Sequence, residues 1–182
     1  MLISQNINGL KIEIWSQIMK FTMLLFFLLS FQVLSLETSL DAKKSEIRWK
    51  GSKITGSHHV GKVFIKEGNI KKADGSLIGG KIIIDLKNFT VDDLKGEWAT
   101  KFLSHMKSED FFNISKHPTA EMEVISIKNN KAKAKLTIKG LTREVTFPIR
   151  EVSGKFVGKL IFDRTKFGMI YGSGNFFKNL GD

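Results

Sequence analysis

Residues 131–139 read KAKAKLTIK, and this stretch decides the fold class. Ala132, Ala134, Leu136 and Ile138 alternate with Lys131, Lys133, Lys135, Thr137 and Lys139. A period of two puts the apolar residues on one face of a β-strand and the lysines on the other, toward water. The same period recurs in both directions along the chain. Ile47 and Trp49 alternate with Glu46, Arg48 and Lys50, and Val63 and Ile65 alternate with Lys62 and Lys66, although Phe64 makes that strand apolar on both faces. Ala120, Met122 and Val124 share a face, after which Ile125 and Ile127 change phase, as a bulge allows. Val145, Phe147 and Ile149 follow, then Phe156, Leu160 and Phe162. Ile82-Ile83-Ile84 is continuous, the mark of a strand covered on both sides. Pro148 belongs at a bulge or an exposed position. Turn signals at Gly68-Asn69, Ala73-Asp74-Gly75, Asn129-Asn130 and Ser153-Gly154 separate the runs. This pattern predicts an all-β antiparallel meander, which must close or stack to protect its edges.

One segment breaks the period. Leu94, Trp98, Phe102, Leu103 and Met106 recur at helical spacing, with Asp92 placed as an N-cap. The spacing predicts a short helical connector around residues 92–107, lying between strands over a barrel mouth. It runs into FLSHMKSEDFFNISKHP (residues 102–118), which sets His105, Glu109, Asp110, the Phe111-Phe112 pair and His117-Pro118 on one short stretch.

At 182 residues and 42% hydrophobic, the chain can bury one core and is too apolar for disorder. It has no cysteine, which excludes a disulfide scaffold, a cysteine zinc site and a thiol nucleophile. Met19-Lys20 precedes FTMLLFFLL (residues 21–29) and then SFQVLS (residues 30–35). A basic start, an apolar core and a small-residue cleavage point after Ser35 predict a signal peptide over residues 19–35. Residues 1–18 are then an over-extended start, residues 36–182 form a single barrel domain, and the protein is periplasmic or secreted. The net charge is +11, and +10 once Lys11, Glu13 and Lys20 are set aside with residues 1–35. Export and the alternation of lysine with apolar residues argue for a solvated sheet face, so no nucleic-acid partner is expected.

The residues offer little catalytic chemistry. His58 and His59 are adjacent, so on a strand they point to opposite faces. His58 converging with His105 from a distant segment is what a metal- or haem-linked periplasmic redox accessory protein would use, and this is the alternative function. There is no HExxH and no G-x-S-x-G, and Gly172-Ser173-Gly174 lacks the lysine of a phosphate loop. Glu109 and Asp110 are neighbours, which rarely converge on one bond. No enzyme activity and no resident cofactor or metal are expected. Fifteen Phe and three Trp instead suit a fold that encloses space. A barrel of about eight strands holds side chains or one ligand, and small residues at Ala120, Ala132, Ala134 and Gly158 would leave room inside it.

Several blocks together carry a resemblance. They are Trp49-Lys50-Gly51, Gly56-Ser57-His58 leading to Gly61, GGKIIID (residues 79–85), LSHMKS with DFF (residues 103–112), His117-Pro118, LTIKG (residues 136–140) and DRTKFG (residues 163–168). In this order and spacing the chain resembles the YceI family from about Ser45 to Asp182. The resemblance implies a lipocalin-like antiparallel barrel of about eight strands with an apolar lumen. It implies non-catalytic binding, as carrier, store or transporter, of a polyisoprenoid or fatty-acid-type lipid, with homodimers in some members and transient contact with a membrane surface. Trp49, Phe64, Phe89, Trp98, Leu103, Met106, Phe111, Phe112, Phe147, Phe162 and Phe167 are the residues expected nearest the ligand, with His58 and His105 near a head group or entrance. Asp163 and Arg164 are expected to form an ion pair or to bond a turn. The resemblance also implies a final strand beyond residues 179–182, so the barrel is expected to be one strand short.

Overall fold

The structure, a computed structural model, describes residues 19–20, 35–52 and 56–173. The chain divides into two units, residues 1–34 and 35–182, and of the first only the helical pair Met19-Lys20 is described. The over-extended start, the closing strand and all of the expected leader but Met19, Lys20 and Ser35 fall outside the described residues. The second unit is mostly β, an antiparallel sheet curled into a half-barrel with one short helix. Its elements are β1 (Leu36–Ser39), β2 (Ile47–Ser52), β3 (His58–Ala73), β4 (Ser76–Asp85), α1 (Gly96–Lys107), β5 (Thr119–Lys128), β6 (Lys131–Ile138), β7 (Leu141–Val152) and β8 (Lys155–Gly158). Short 3-10 turns lie at Ala42–Lys44 and Arg164–Phe167. The strand order is β1-β3-β4-β5-β6-β7-β8, with β2 paired to the start of β3.

Four hairpins turn on two residues in the left-handed region: Asp74-Gly75, Asn129-Asn130, Lys139-Gly140 and Ser153-Gly154. Positive φ at both positions matches the twist of the flanking strands, which is why Gly, Asn and Asp gather there. The turn expected at Gly68-Asn69 is instead strand, inside the sixteen residues of β3. A bulge between Ile65 and Glu67 carries the strand past this point. Glycine serves close approach here, since a Cβ on Gly68 would meet Lys81 O at 2.8 Å. A second bulge, between Val124 and Ser126 of β5, produces the phase change read from the sequence and leaves Ile125 exposed.

Residues paired across strands share a face. One face collects Ile65, Ile84 and Ala120 in one row, and Ile82, Met122 and Leu136 in the next. Val124, Ala134 and Val145 follow, then Ala132 with Phe147. The opposite face carries lysines and glutamates, with Lys81–Glu121 at 2.8 Å and Lys133–Glu144 at 2.9 Å. Such exposed pairs add little stability, but they keep the outer face wet. The core therefore lies on the inner face, in two clusters joined through Met122, Val145 and Leu160. Ala132 and Ala134 are fully buried against Phe147, and a Cβ on Gly158 would meet the Phe147 ring at 3.1 Å. Ala132, Ala134 and Gly158, three of the small residues expected to leave space, thus make room for the Phe147 ring.

Helix α1 begins at Gly96, four residues later than Asp92. Asp92 and Asp93 are occupied by β3: Asp92 N–H donates to Val60 O at 2.8 Å, and Asp93 Oδ1 accepts from Val60 N–H at 2.9 Å. Lys95 stands at the N-cap with no side-chain cap.

Candidate functional site

The helix is held to the half-barrel by aromatic contacts at two places. At the first, Phe102 stacks on Trp49 with centroids 6.0 Å apart and packs on His59 at 4.7 Å. Trp49 Nε1–H donates to Thr90 O at 3.1 Å. This closeness requires Gly61, the register partner of Trp49: an added Cβ would sit 2.0 Å from Thr90 O and 2.9 Å from the indole. His59 Nδ1 lies 2.8 Å from Asp93 Oδ2. The Val60 N–H, and after it the His59 ring, hold the Asp93 carboxyl below its usual range.

At the second place, His105 meets Phe111 edge-on at 5.2 Å and Tyr171 at 4.4 Å, with Asp110 Oδ2 3.6 Å from its Nε2. Phe112 turns its edge to Phe89 at 5.9 Å. Arg164 locks the loop that carries Tyr171. Its guanidinium lies 5.0 Å from the centre of the Phe111 ring and donates to Met169 O and, at 2.7 Å, to Tyr171 O. Asp163 accepts from the hydroxyl (2.7 Å) and the N–H (2.9 Å) of Thr165, in that order the causes of its lowered pKa. Asp163 and Arg164 thus each bond a turn, and no ion pair joins them among the described residues.

The expected ligand-side residues divide by position. Leu103, His105, Met106, Phe111 and Phe112 are half-buried on the helix and connector, with Phe89 buried beside Phe112. Trp49 is half-buried under Phe102. Phe147 and Phe167 belong to the core, Phe167 with 1% of its surface exposed. Phe162 is partly exposed and touches Phe167 edge-on at 5.5 Å. Phe64 lies on the outer face of β3, and Trp98 points away from the sheet, 73% exposed, with Lys101 Nζ 5.6 Å from its ring centre. His58 is exposed, paired in register with Ser52. No contact joins His58 to His105 among the described residues, and no group of three or more His, Cys, Asp or Glu converges there.

Phe102, His59, Asp93 and Thr90 were not among the expected residues. The signal that points to them is the glycine at position 61, which in a strand marks close approach of another backbone. Between the two anchors, the inner-face residues Ile82, Ile84, Met122, Val124, Val145, Ile149 and Leu160 are only half-covered. The arrangement offers a half-covered apolar inner face with aromatic contacts to the helix and connector, and its close His–acid pairs, His59–Asp93 and His105–Asp110, lie in those contacts.

A curled antiparallel half-barrel of this kind, with one short helix, is consistent with a lipocalin-like barrel. The family model of the YceI-like domain matches residues 39–182, and the chain belongs to that family. Membership is consistent with binding an apolar ligand, in a family made up generally of non-enzymatic binding proteins. No curated protein matches the chain. Among the described residues no helix is long and apolar enough to cross a membrane.

Proposed function

We propose that this protein is a non-catalytic carrier that binds a long-chain apolar ligand, a polyisoprenoid or a fatty-acid-type lipid, along the inner face of the half-barrel. One observation carries the reading. The inward-facing Ile82 and Ile84 of β4, Met122 and Val124 of β5, and Val145 and Ile149 of β7 are only half-buried, on either side of a buried β6 row. An aliphatic surface left half-wet gains by taking up a chain, at about 0.8 kcal/mol per buried CH₂. About ten methylenes would supply roughly 8 kcal/mol before ordering costs, so no elaborate polar site is required. The leader-like segment over residues 19–35 supports work outside the cytoplasm, in the periplasm or beyond.

Native mass spectrometry of the protein purified from an exporting host, followed by organic extraction, tests the function. The expected result is a bound mass that is lost on extraction and restored by adding a prenol or palmitate. A protein that is empty as purified and takes up neither compound would overturn the reading.

A further inference from the structure

The wall of the half-barrel has a gap. Strand β4 pairs with residues 64–73 of β3, and the chain after it continues along the same edge, where Thr90 and Asp92 N–H donate to Lys62 O and Val60 O. Strands β1 and β2 therefore share the other edge of β3, β1 at residues 69–72 and β2 at residues 58–63. Between them the chain leaves the sheet as the turn Ala42–Lys44, closed by Lys44 N–H to Asp41 O and Ser45 N–H to Ala42 O, and Leu40 N–H donates to Gly68 O of β3 at 2.9 Å.

A cavity of about 580 Å³ occupies this gap, lined by residues 42–46 and 62–66. Successive strand residues point to opposite faces, so a cavity touching all five of Lys62, Val63, Phe64, Ile65 and Lys66 reaches around the strand edge. Val63 and Ile65 belong to the inner face through their partners Ile47 and Ile84. Lys62 and Phe64 belong to the outer face, where Phe64 is 47% exposed, and Lys66 is the exposed, unpaired residue of the bulge between Ile65 and Glu67. The rim is cationic. Lys44 is paired with Asp41 at 3.2 Å, and Lys62 with Glu46 at 3.3 Å. Glu46 is also held by Arg48, which leaves it no spare charge for the cavity. Lys43 and Lys66 have no side-chain partner among the described residues.

We propose that this gap is a head-group site for an anionic amphiphile. Its phosphate or carboxylate is held by Lys43 and Lys66 at the outer rim, and its apolar chain passes Val63 and Ile65 onto the inner face. The path of the chain rests on the lipid-binding reading above; the charge at the rim does not. Two ammonium groups over an apolar floor favour an ionised head that the same chain bearing a hydroxyl cannot match.

Calorimetric titration at low salt tests this with matched probes: a prenyl phosphate and the prenol of equal length, palmitate and hexadecanol, and inorganic phosphate alone. The acids are expected to bind about tenfold more tightly than the alcohols. The advantage should vanish in Lys43→Ala/Lys66→Ala, persist in Lys43→Arg/Lys66→Arg, and leave alcohol binding unchanged throughout. Both lysines are exposed, so neither change threatens the fold. Equal binding of acid and alcohol, or an advantage that survives the alanine pair, overturns the head-group site and leaves the carrier function standing. Inorganic phosphate binding as tightly as the prenyl phosphate makes the gap a simple anion site and overturns the amphiphile. Failure of every amphiphile to bind overturns both.

Discussion

At the scale of single residues, the most constrained position is Gly61. Any side chain there must displace either the Thr90 carbonyl or the Trp49 ring, and the carbonyl is backbone. Gly61→Ala is expected to destabilise by about 1–3 kcal/mol, as overpacking does, and to release Phe102 from its stack. Urea unfolding measures the first effect, and the second should appear as faster amide exchange across α1. An unchanged urea midpoint would contradict the geometry. Phe147 makes the opposite case, because it fills its own space over Ala132 and Gly158. Phe147→Ala is expected to cost about 3–5 kcal/mol, read from the same urea curves. Asp93 carries the acid sensitivity. Its folded pKa lies below its unfolded value, so its contribution is present above about pH 4 and is lost as pH falls through the lowered value. Asp93→Asn should therefore flatten the fall in Tm below about pH 4 relative to the wild type. A parallel decline in the two proteins would show that the carboxylate has no such part.

At the scale of elements, the strands were legible and the helix start was not. Alternation at residues 131–139 fixes β6 and its inward set, and the broken phase after Val124 locates the bulge in β5 to the residue pair. Both follow from side-chain period, which survives without tertiary knowledge. The turn expected at Gly68-Asn69 did not form, because a glycine required for close packing has the same letter as a glycine required for a turn. Asp92 fits an N-cap by local chemistry, but its N–H is held by Val60 O of β3, a contact between segments far apart in sequence, and its carboxylate accepts from the Thr90 hydroxyl. The site was legible in the same proportion. The contact of His105 with the connector's Phe111 is local in sequence, while the His59–Asp93 contact and the gap beside Lys43 depend on pairing register. Arg164 shows how one side chain supports an element, since it joins the Phe111 ring to the carbonyls of Met169 and Tyr171. Arg164→Lys keeps the charge but loses the planar fork. It should expose the loop to limited proteolysis with little change in far-ultraviolet circular dichroism, and equal digestion rates would count against the role.

At the scale of the whole molecule, the inner face is built almost entirely from side chains that no polar group could serve, and the outer face is a field of lysine and glutamate. Charge and apolar surface meet within a single cavity at the gap between β1 and β2. Binding of a lipid to the native state alone should raise Tm with ligand concentration. Adding salt should weaken the binding of an ionised lipid and leave that of an alcohol nearly unchanged. Loss of affinity for both on adding salt would place the head elsewhere.

The four two-residue hairpins also set an order in time. They join β3 to β4 and link β5 through β8 in an unbroken meander, so most of the sheet closes through contacts near in sequence, which form quickly. The helix is fastened by contacts of long separation, Trp49 to Phe102 and His105 to Tyr171, and these must wait for the sheet. What assembles last, on the fewest contacts, opens first. Hydrogen exchange should therefore find α1 opening from a sheet that stays intact, a breathing motion that would release these aromatic contacts without unfolding the protein.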